Sequence, residues 1–138
     1  MAKVLKRLTL TPVGGVLWML ADDLAVQINE GFLLEVLADF VSDGESGPAA
    51  LKDLLLKPDT RRQIAAFIHD ALYQAGLPKD WADSVYAEIL RDTGVDPETD
   101  KALYEAVHLF GASSWDGDQA DLVKKAAATN HLRITPCS

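Results

Sequence analysis

The sequence predicts an α+β domain in which an N-terminal antiparallel β-meander of about four strands packs against three to four C-terminal helices. Three observations carry this expectation. Short runs rich in Val, Leu and Ile, separated by turn residues, fill positions 1–38, and apolar residues at helical spacing between caps and glycine stops dominate the second half. The strand signals all precede the helix signals, without the βαβ alternation of a parallel sheet. At 138 residues, 49% of them hydrophobic, the chain can enclose one core, and no repeat or low-complexity linker divides it. It reads as a single domain, 1–138.

In order, apolar and polar residues partly alternate from Val4 to Leu10, and Val16–Leu20, Leu24–Ile28 and Phe32–Leu37 are the next strand-like runs. Pro12 with Gly14 and Gly15, then Asp22 with Asp23, then Asn29-Glu30-Gly31 supply the turns between them. Leu33, Leu34, Val36 and Leu37 also fit one face of a short helix, so the last run admits either reading. A loop over 39–50 follows, because Ser42, Asp43, Gly44, Ser46 and Gly47 favour irregular backbone.

The helical part spans 51–128. Thr60 and Gln63 form a capping-box pair for a first long helix, with Ile64, Ala65, Phe67, Ile68 and Leu72 on its apolar face and Gly76 and Pro78 ending it. A second helix starts after Asp80, carries Trp81, Val85, Ile89 and Leu90, and stops at Gly94. Asp96 caps a third with Pro97 at its first position, running through Leu103, Val107 and Phe110 to Gly111. Asp118 is the expected cap of a fourth reaching Ala128, and the tail 129–138 reads as an edge strand or a loose end.

Composition narrows the function classes. A net charge of −8 with scattered Lys and Arg argues against nucleic acid, whose binding needs clustered basic side chains. The single cysteine, Cys137, forms no internal disulfide and supports no thiolate cage. MAKVLKRLTL lacks a continuous apolar leader core, and no stretch approaches the roughly 20 apolar residues of a membrane span. These features lead to the expectation of a cytoplasmic, unprocessed protein with no membrane partner.

His69 and Asp70 fall in the middle of the first long helix, where neighbours point about 100° apart, so one faces the core edge and the other a cleft. Tyr73, four residues after His69, shares its face. A histidine-aspartate metallophosphohydrolase needs a histidine upstream of such a pair, and none precedes His69. Gly44-Glu45-Ser46-Gly47-Pro48 has Pro48 where a nucleophile elbow needs its second glycine, though Ser46 and His69 could still pair as nucleophile and base. Asp116-Gly117-Asp118 opens like a calcium loop, but Ala120 and Asp121 replace its next ligand and glycine, so a turn and helix cap explains it better. Asp22-Asp23 reads as a turn, His108 and His131 as surface or packing residues, and Trp18, Trp81 and Trp115 as core and rim packing.

Several segments are arranged in the order of a known pattern. Phe40-Val41-Ser42-Asp43-Gly44-Glu45-Ser46-Gly47-Pro48 corresponds to Phe-x-Thr-Asp-x-x-Ser-x-Pro, and His69-Asp70-Ala71-Leu72-Tyr73 to His-Asp-x-Leu-Tyr. Ala82-Asp83 matches an Ala-Asp pair opening the next helix, and Tyr104 to Gly111 matches Tyr-x-x-Val-x-x-Phe-Gly. Over residues 16 to 115 the chain thus resembles a family of uncharacterised small proteins of tailed bacteriophages and prophages, a domain of unknown function. Ser42 replaces the family's usual threonine, and Asp39 stands where a glycine commonly precedes the phenylalanine.

The resemblance implies that Asp43, Ser46, His69, Asp70 and Asp83 belong to one set. Asp43, Ser46, His69 and Asp70 are then the candidates for catalysis, and Tyr73 and Asp83 for binding. The phage context implies a protein that binds a host or phage protein, with the set as a buried polar network. The alternative is a small hydrolase that uses the set as its active site, with or without one divalent metal. A tail-associated or peptidoglycan-related role is a third reading, resting on phage context alone.

Overall fold

A computed structural model describes residues 1–6, 8–15, 17–44 and 59–137. The strands are β1 (Lys3–Val4), β2 (Leu10–Gly14), β3 (Leu17–Leu20), β4 (Leu24–Ile28), β5 (Phe32–Val36), β6 (Val41–Ser42) and β7 (Leu132–Pro136), and the helices are α1 (Thr60–Gln74), α2 (Lys79–Asp92), α3 (Pro97–Phe110), α4 (Ala112–Ala120) and α5 (Leu122–His131). The architecture is α+β, with five helices among the described residues.

The expected meander is divided between two antiparallel sheets, one ordered β1-β4-β5-β7 and one ordered β2-β3-β6. The run Val4–Leu10 is accordingly split between β1 and β2. β3 and β4 are consecutive but unpaired, because Asp22 and Asp23 carry the chain from the small sheet to the large one instead of closing a hairpin. The chain returns at Ala38 and Asp39, and the Asp23 carboxylate pins the return by accepting the Ala38 N–H at 2.8 Å. Asp39 has φ 77°, in the left-handed region that glycine enters most easily and Asp tolerates. A left-handed corner accounts physically for the glycine of the related pattern. From this corner, Asp39 N–H bonds Leu20 C=O at 2.8 Å and Leu20 N–H bonds Phe40 C=O at 2.9 Å. β6 is thereby laid beside β3, with Trp18 opposite Ser42 and Met19 opposite Val41.

Phe32–Val36 is a strand, so extended pairing prevails over the helical alternative, with β4 on one side and β7 on the other. β4 is buried at four of its five positions, as befits a central strand, while β7 alternates half-buried Leu132 and Ile134 with exposed Arg133 and Thr135. The tail is therefore the edge strand of the large sheet, entered directly from α5. Leu24, Val26, Leu34 and Val36 form one core with Phe67, Ile68 and Leu72 of α1 and Ile89 and Leu90 of α2. Helix α1 packs against α2, α4 and α5, and is the central helix of the fold.

The helix starts refine the sequence expectations. Asp59, not Thr60, caps α1, accepting from the amides of Arg61 and Arg62. Helix α2 begins at Lys79 after Pro78 with no side-chain cap, so Asp80 lies within its first turn. Asp96 caps α3 through the Thr99 amide, as expected. Asp118 is inside α4 and caps nothing, whereas Asp121 caps α5 by accepting the Lys124 N–H at 3.0 Å. Trp81 and Trp115 pack at the rim and bond Glu30 Oε1 and Leu77 C=O through their indole N–H groups. No described helix is long and apolar enough to cross a membrane.

The cap assignment has a direct test. Asp121→Ala should cost about 1 kcal/mol of stability in chemical denaturation and speed hydrogen exchange at the Lys124 amide. An unchanged Lys124 amide would contradict it.

Candidate functional site

The turn through Gly76 and Pro78 folds α2 back along α1 and brings His69, Tyr73 and Asp83 together. His69 and Tyr73 are one turn apart on α1, and both reach Asp83 Oδ1: His69 Nε2 lies 2.8 Å away and the Tyr73 hydroxyl donates at 2.6 Å. Lys79, one turn before Asp83 on α2, donates to Oδ2 at 2.7 Å. The Asp83 side chain is 0% exposed. Burial opposes its charge, but the donors His69, Lys79 and Tyr73 outweigh it and hold the carboxyl below the usual carboxylate range. An ionised Asp83 only accepts, so neutral His69 carries its proton on Nε2. This leaves Nδ1 as the basic nitrogen, and no hydrogen bond reaches it among the described residues. The rings of Tyr73 and Tyr86, with centroids 4.1 and 4.9 Å from that of His69, hold the imidazole in its plane. Burial and the bond to Asp83 push the Tyr73 phenol well above its ordinary pKa, so it stays a donor.

Lys79 also donates to the carbonyls of Val107 and His108, each at 3.2 Å, at the end of α3. One ammonium thus neutralises Asp83 and binds two carbonyls at the negative end of the α3 dipole. Gly111 closes this corner, since a Cβ there would collide with the Val107 carbonyl and stand 2.7 Å from the Tyr73 hydroxyl. The Phe-Gly of the sequence pattern therefore leaves room for the Tyr73 to Asp83 bond.

Asp70 points away from this cluster, towards β6 and α4. Gln74 donates to its Oδ2 at 2.9 Å. Ser42 Oγ accepts the Gly44 N–H at 2.9 Å and passes its own hydroxyl to Asp70. Burial raises the Asp70 pKa, the Ser42 and Gln74 bonds lower it, and the nearby charges of Asp43 and Asp118 raise it again; the balance is upward. Lys124 donates to Asp118 at 3.0 Å and is held above its ordinary pKa, as the attraction of Asp118, Asp70 and Asp43 exceeds the cost of its burial.

Both halves of α1 border one cavity of about 1020 Å³, to which His69, Asp70, Tyr73, Ser42, Asp43 and Asp118 all contribute. Of the candidates read from the sequence, His69, Tyr73 and Asp83 are bonded together, while Asp43 and Asp70 share the cavity without touching that trio. Ser46 lies outside the described residues, and with it any pairing of Ser46 and His69. Lys79, Gln74 and Gly111 were missed. The i,i+4 spacings of Lys79 with Asp83 and of Asp70 with Gln74 were the available signals. His108, read as a surface or packing residue, is half exposed and brings Nδ1 to 3.9 Å from Asp83 Oδ2.

Among the described residues, Asp80, Asp83 and His108 bring one donor atom each within 4.8 Å of one another, but the Lys79 ammonium already supplies the positive charge there. Asp43 and Asp70 line the cavity but join no grouping of three such donors among the described residues.

A sheet backed by a helical hairpin, with a buried Asp-His-Tyr cluster opening on a cavity, is the class of protein that fold and site define. The chain belongs to the family of proteins of unknown function designated DUF1353, whose profile matches residues 18–107. That segment contains Ser42, Asp43, His69, Asp70, Tyr73, Lys79 and Asp83, and stops before α4 and α5. No curated protein and no solved structure matches the chain.

Two outcomes follow for stability. Asp83→Ala strands three donors and should cost about 3–5 kcal/mol, read from denaturant midpoints; a loss within experimental error would contradict the network. For Asp70 the sign is reversed. A carboxyl whose pKa is raised on folding costs stability once pH exceeds the ordinary carboxylate value. Asp70→Asn should therefore melt higher than the natural chain at pH 7, with the difference vanishing near pH 3, and a lower melting temperature at pH 7 would refute it.

Proposed function

We propose that the protein is a small hydrolase in which His69, oriented by Asp83, activates water for attack on a carbonyl carbon. The observation that carries this reading is the buried Asp83 carboxylate bonded to one imidazole nitrogen while the other, beside a large cavity, has no hydrogen-bond partner among the described residues. The arrangement is that of a positioned general base. His69 Nδ1 takes a water proton as the oxygen attacks and returns it to the leaving group. Tyr73 and Lys79 hold Asp83 in place.

The cavity's charge supports a carbonyl substrate over a free phosphate. Lys124 is the only Lys or Arg among the described lining residues, and it is tied to Asp118, whereas Asp43, Asp70, Asp118 and Asp121 all face the cavity. With one divalent cation, the reading gives Asp43 and Asp70 the task of holding it, and its chemistry would be to polarise the carbonyl oxygen. In this reading the protein works in the cytoplasm of a phage-infected or prophage-bearing cell.

A second reading, a module that binds a host or phage protein, has in its favour the exposed Leu109, Leu122 and Val123, at 67, 74 and 83% exposure.

The test is hydrolysis of p-nitrophenyl butyrate, with and without Ca, Mg, Mn or Zn. The natural chain should cleave it above background, and His69→Gln should lose about 10²–10⁴-fold in rate. No cleavage under any metal condition, or full activity in His69→Gln, would sink the hydrolase and leave the binding module.

A further inference from the structure

We propose that the substrate is a long-chain acyl ester, its hydrocarbon chain lying along the α3 wall of the cavity and its polar end on the α4 and α5 wall. The inference rests on the hydrolase reading of His69 and Asp83.

The two walls differ in chemistry. Helix α3 contributes Leu103, Ala106 and Val107, with Tyr86 of α2 beside them, whereas α4, α5 and the junction between them contribute the charged Asp118, Asp121 and Lys124 alongside the small Ala127 and Ala128. Helix α1 runs between the two. Ala66, His69 and Tyr73 form one stripe on it, while Asp70 and Gln74 form another about 100° round, towards Ser42 and the acidic wall. His69 therefore stands where an apolar half meets a polar half, the position of the ester linkage in an amphiphile.

Size and entrance agree with this. A cavity of about 1020 Å³ lies at the upper end of the roughly 300–1,000 Å³ usual for small-molecule sites. A short polar ester leaves most of it empty. Leu17 and Val41 line the cavity and remain 43 and 37% exposed. They lie on one face of the small sheet, since Val41 pairs with Met19, two residues from Leu17. Apolar side chains at an entrance suit a guest that brings hydrocarbon with it.

The reaction balances without a further reactant. Water oxygen bonds the acyl carbon, the acyl C–O bond breaks, and the water proton passes through His69 Nδ1 to the leaving alkoxide, giving an alcohol and a fatty acid. The acidic wall suits a neutral or cationic polar end.

The experiment measures kcat/KM for p-nitrophenyl esters of four, eight and twelve carbons, each below its micelle concentration. It is paired with NMR titration by dodecylphosphocholine, which has the chain and a polar end but no carboxylic ester. Burying a methylene is worth up to about four-fold in binding, so kcat/KM should rise about ten-fold or more from four to twelve carbons. Dodecylphosphocholine should shift the Leu103 and Val107 resonances, and Ala106→Phe should flatten the chain-length dependence. Cleavage without chain dependence, with no α3 shifts, overturns the acyl assignment and leaves the hydrolase standing. Shifts at α3 with no ester cleaved by the natural chain remove the hydrolase and the substrate assignment with it.

Discussion

A carboxylate with no access to water lies at the junction of three helices, and much of the molecule is arranged around it. Asp83 can be ionised there because His69 and Tyr73 of α1 and Lys79 of α2 donate to it within 2.8 Å. Lys79 extends the junction to α3 through the Val107 and His108 carbonyls. A buried ion pair of this kind adds little net stability over a well-packed apolar alternative. Its consequence is registration: the angle of α1 on α2, the end of α3 and the plane of the His69 ring are set together. The site that results is a histidine held by one nitrogen, with no hydrogen bond to the other among the described residues.

The second constraint is the corner at Asp39. Its left-handed backbone returns the chain to the small sheet, and β6 then delivers Ser42 and Asp43 to the cavity. The hydroxyl of Ser42 links the loop amide of Gly44 to Asp70. Asp70 is thus held in place although burial opposes its charge. The family match ends at residue 107, so His69, Asp70 and Asp83 belong to the matched segment, while Asp118 and Lys124 come from chain beyond it.

The fold class was legible because strand runs and helix periodicities are separated along this chain. The partition into two sheets was not, since Asp22-Asp23 has the composition of a hairpin turn and only the tertiary bond from Asp23 to Ala38 makes it a crossover. Caps were read correctly where Pro97 fixed the helix start at Asp96, and misplaced at Asp118, where local composition also suits Asp121. Within the site, His69 and Tyr73 were legible from their four-residue spacing. Asp83 entered through the ordered motif pattern, because a lone Asp on an amphipathic helix resembles any solvated charge. Lys79 was hidden for the same reason: lysines at helix starts are common, and its role depends on the distant end of α3.

The central claim is that Asp83 fixes His69 as the Nε2–H tautomer with Nδ1 free to accept a proton. Nitrogen-15 NMR of the imidazole at neutral pH tests this most directly. The account expects a protonated Nε2, its proton shifted downfield by the bond to Asp83, and an unprotonated Nδ1 that responds to solvent. A neutral His69 protonated on Nδ1, or a ring unaffected by Asp83→Asn, would contradict it.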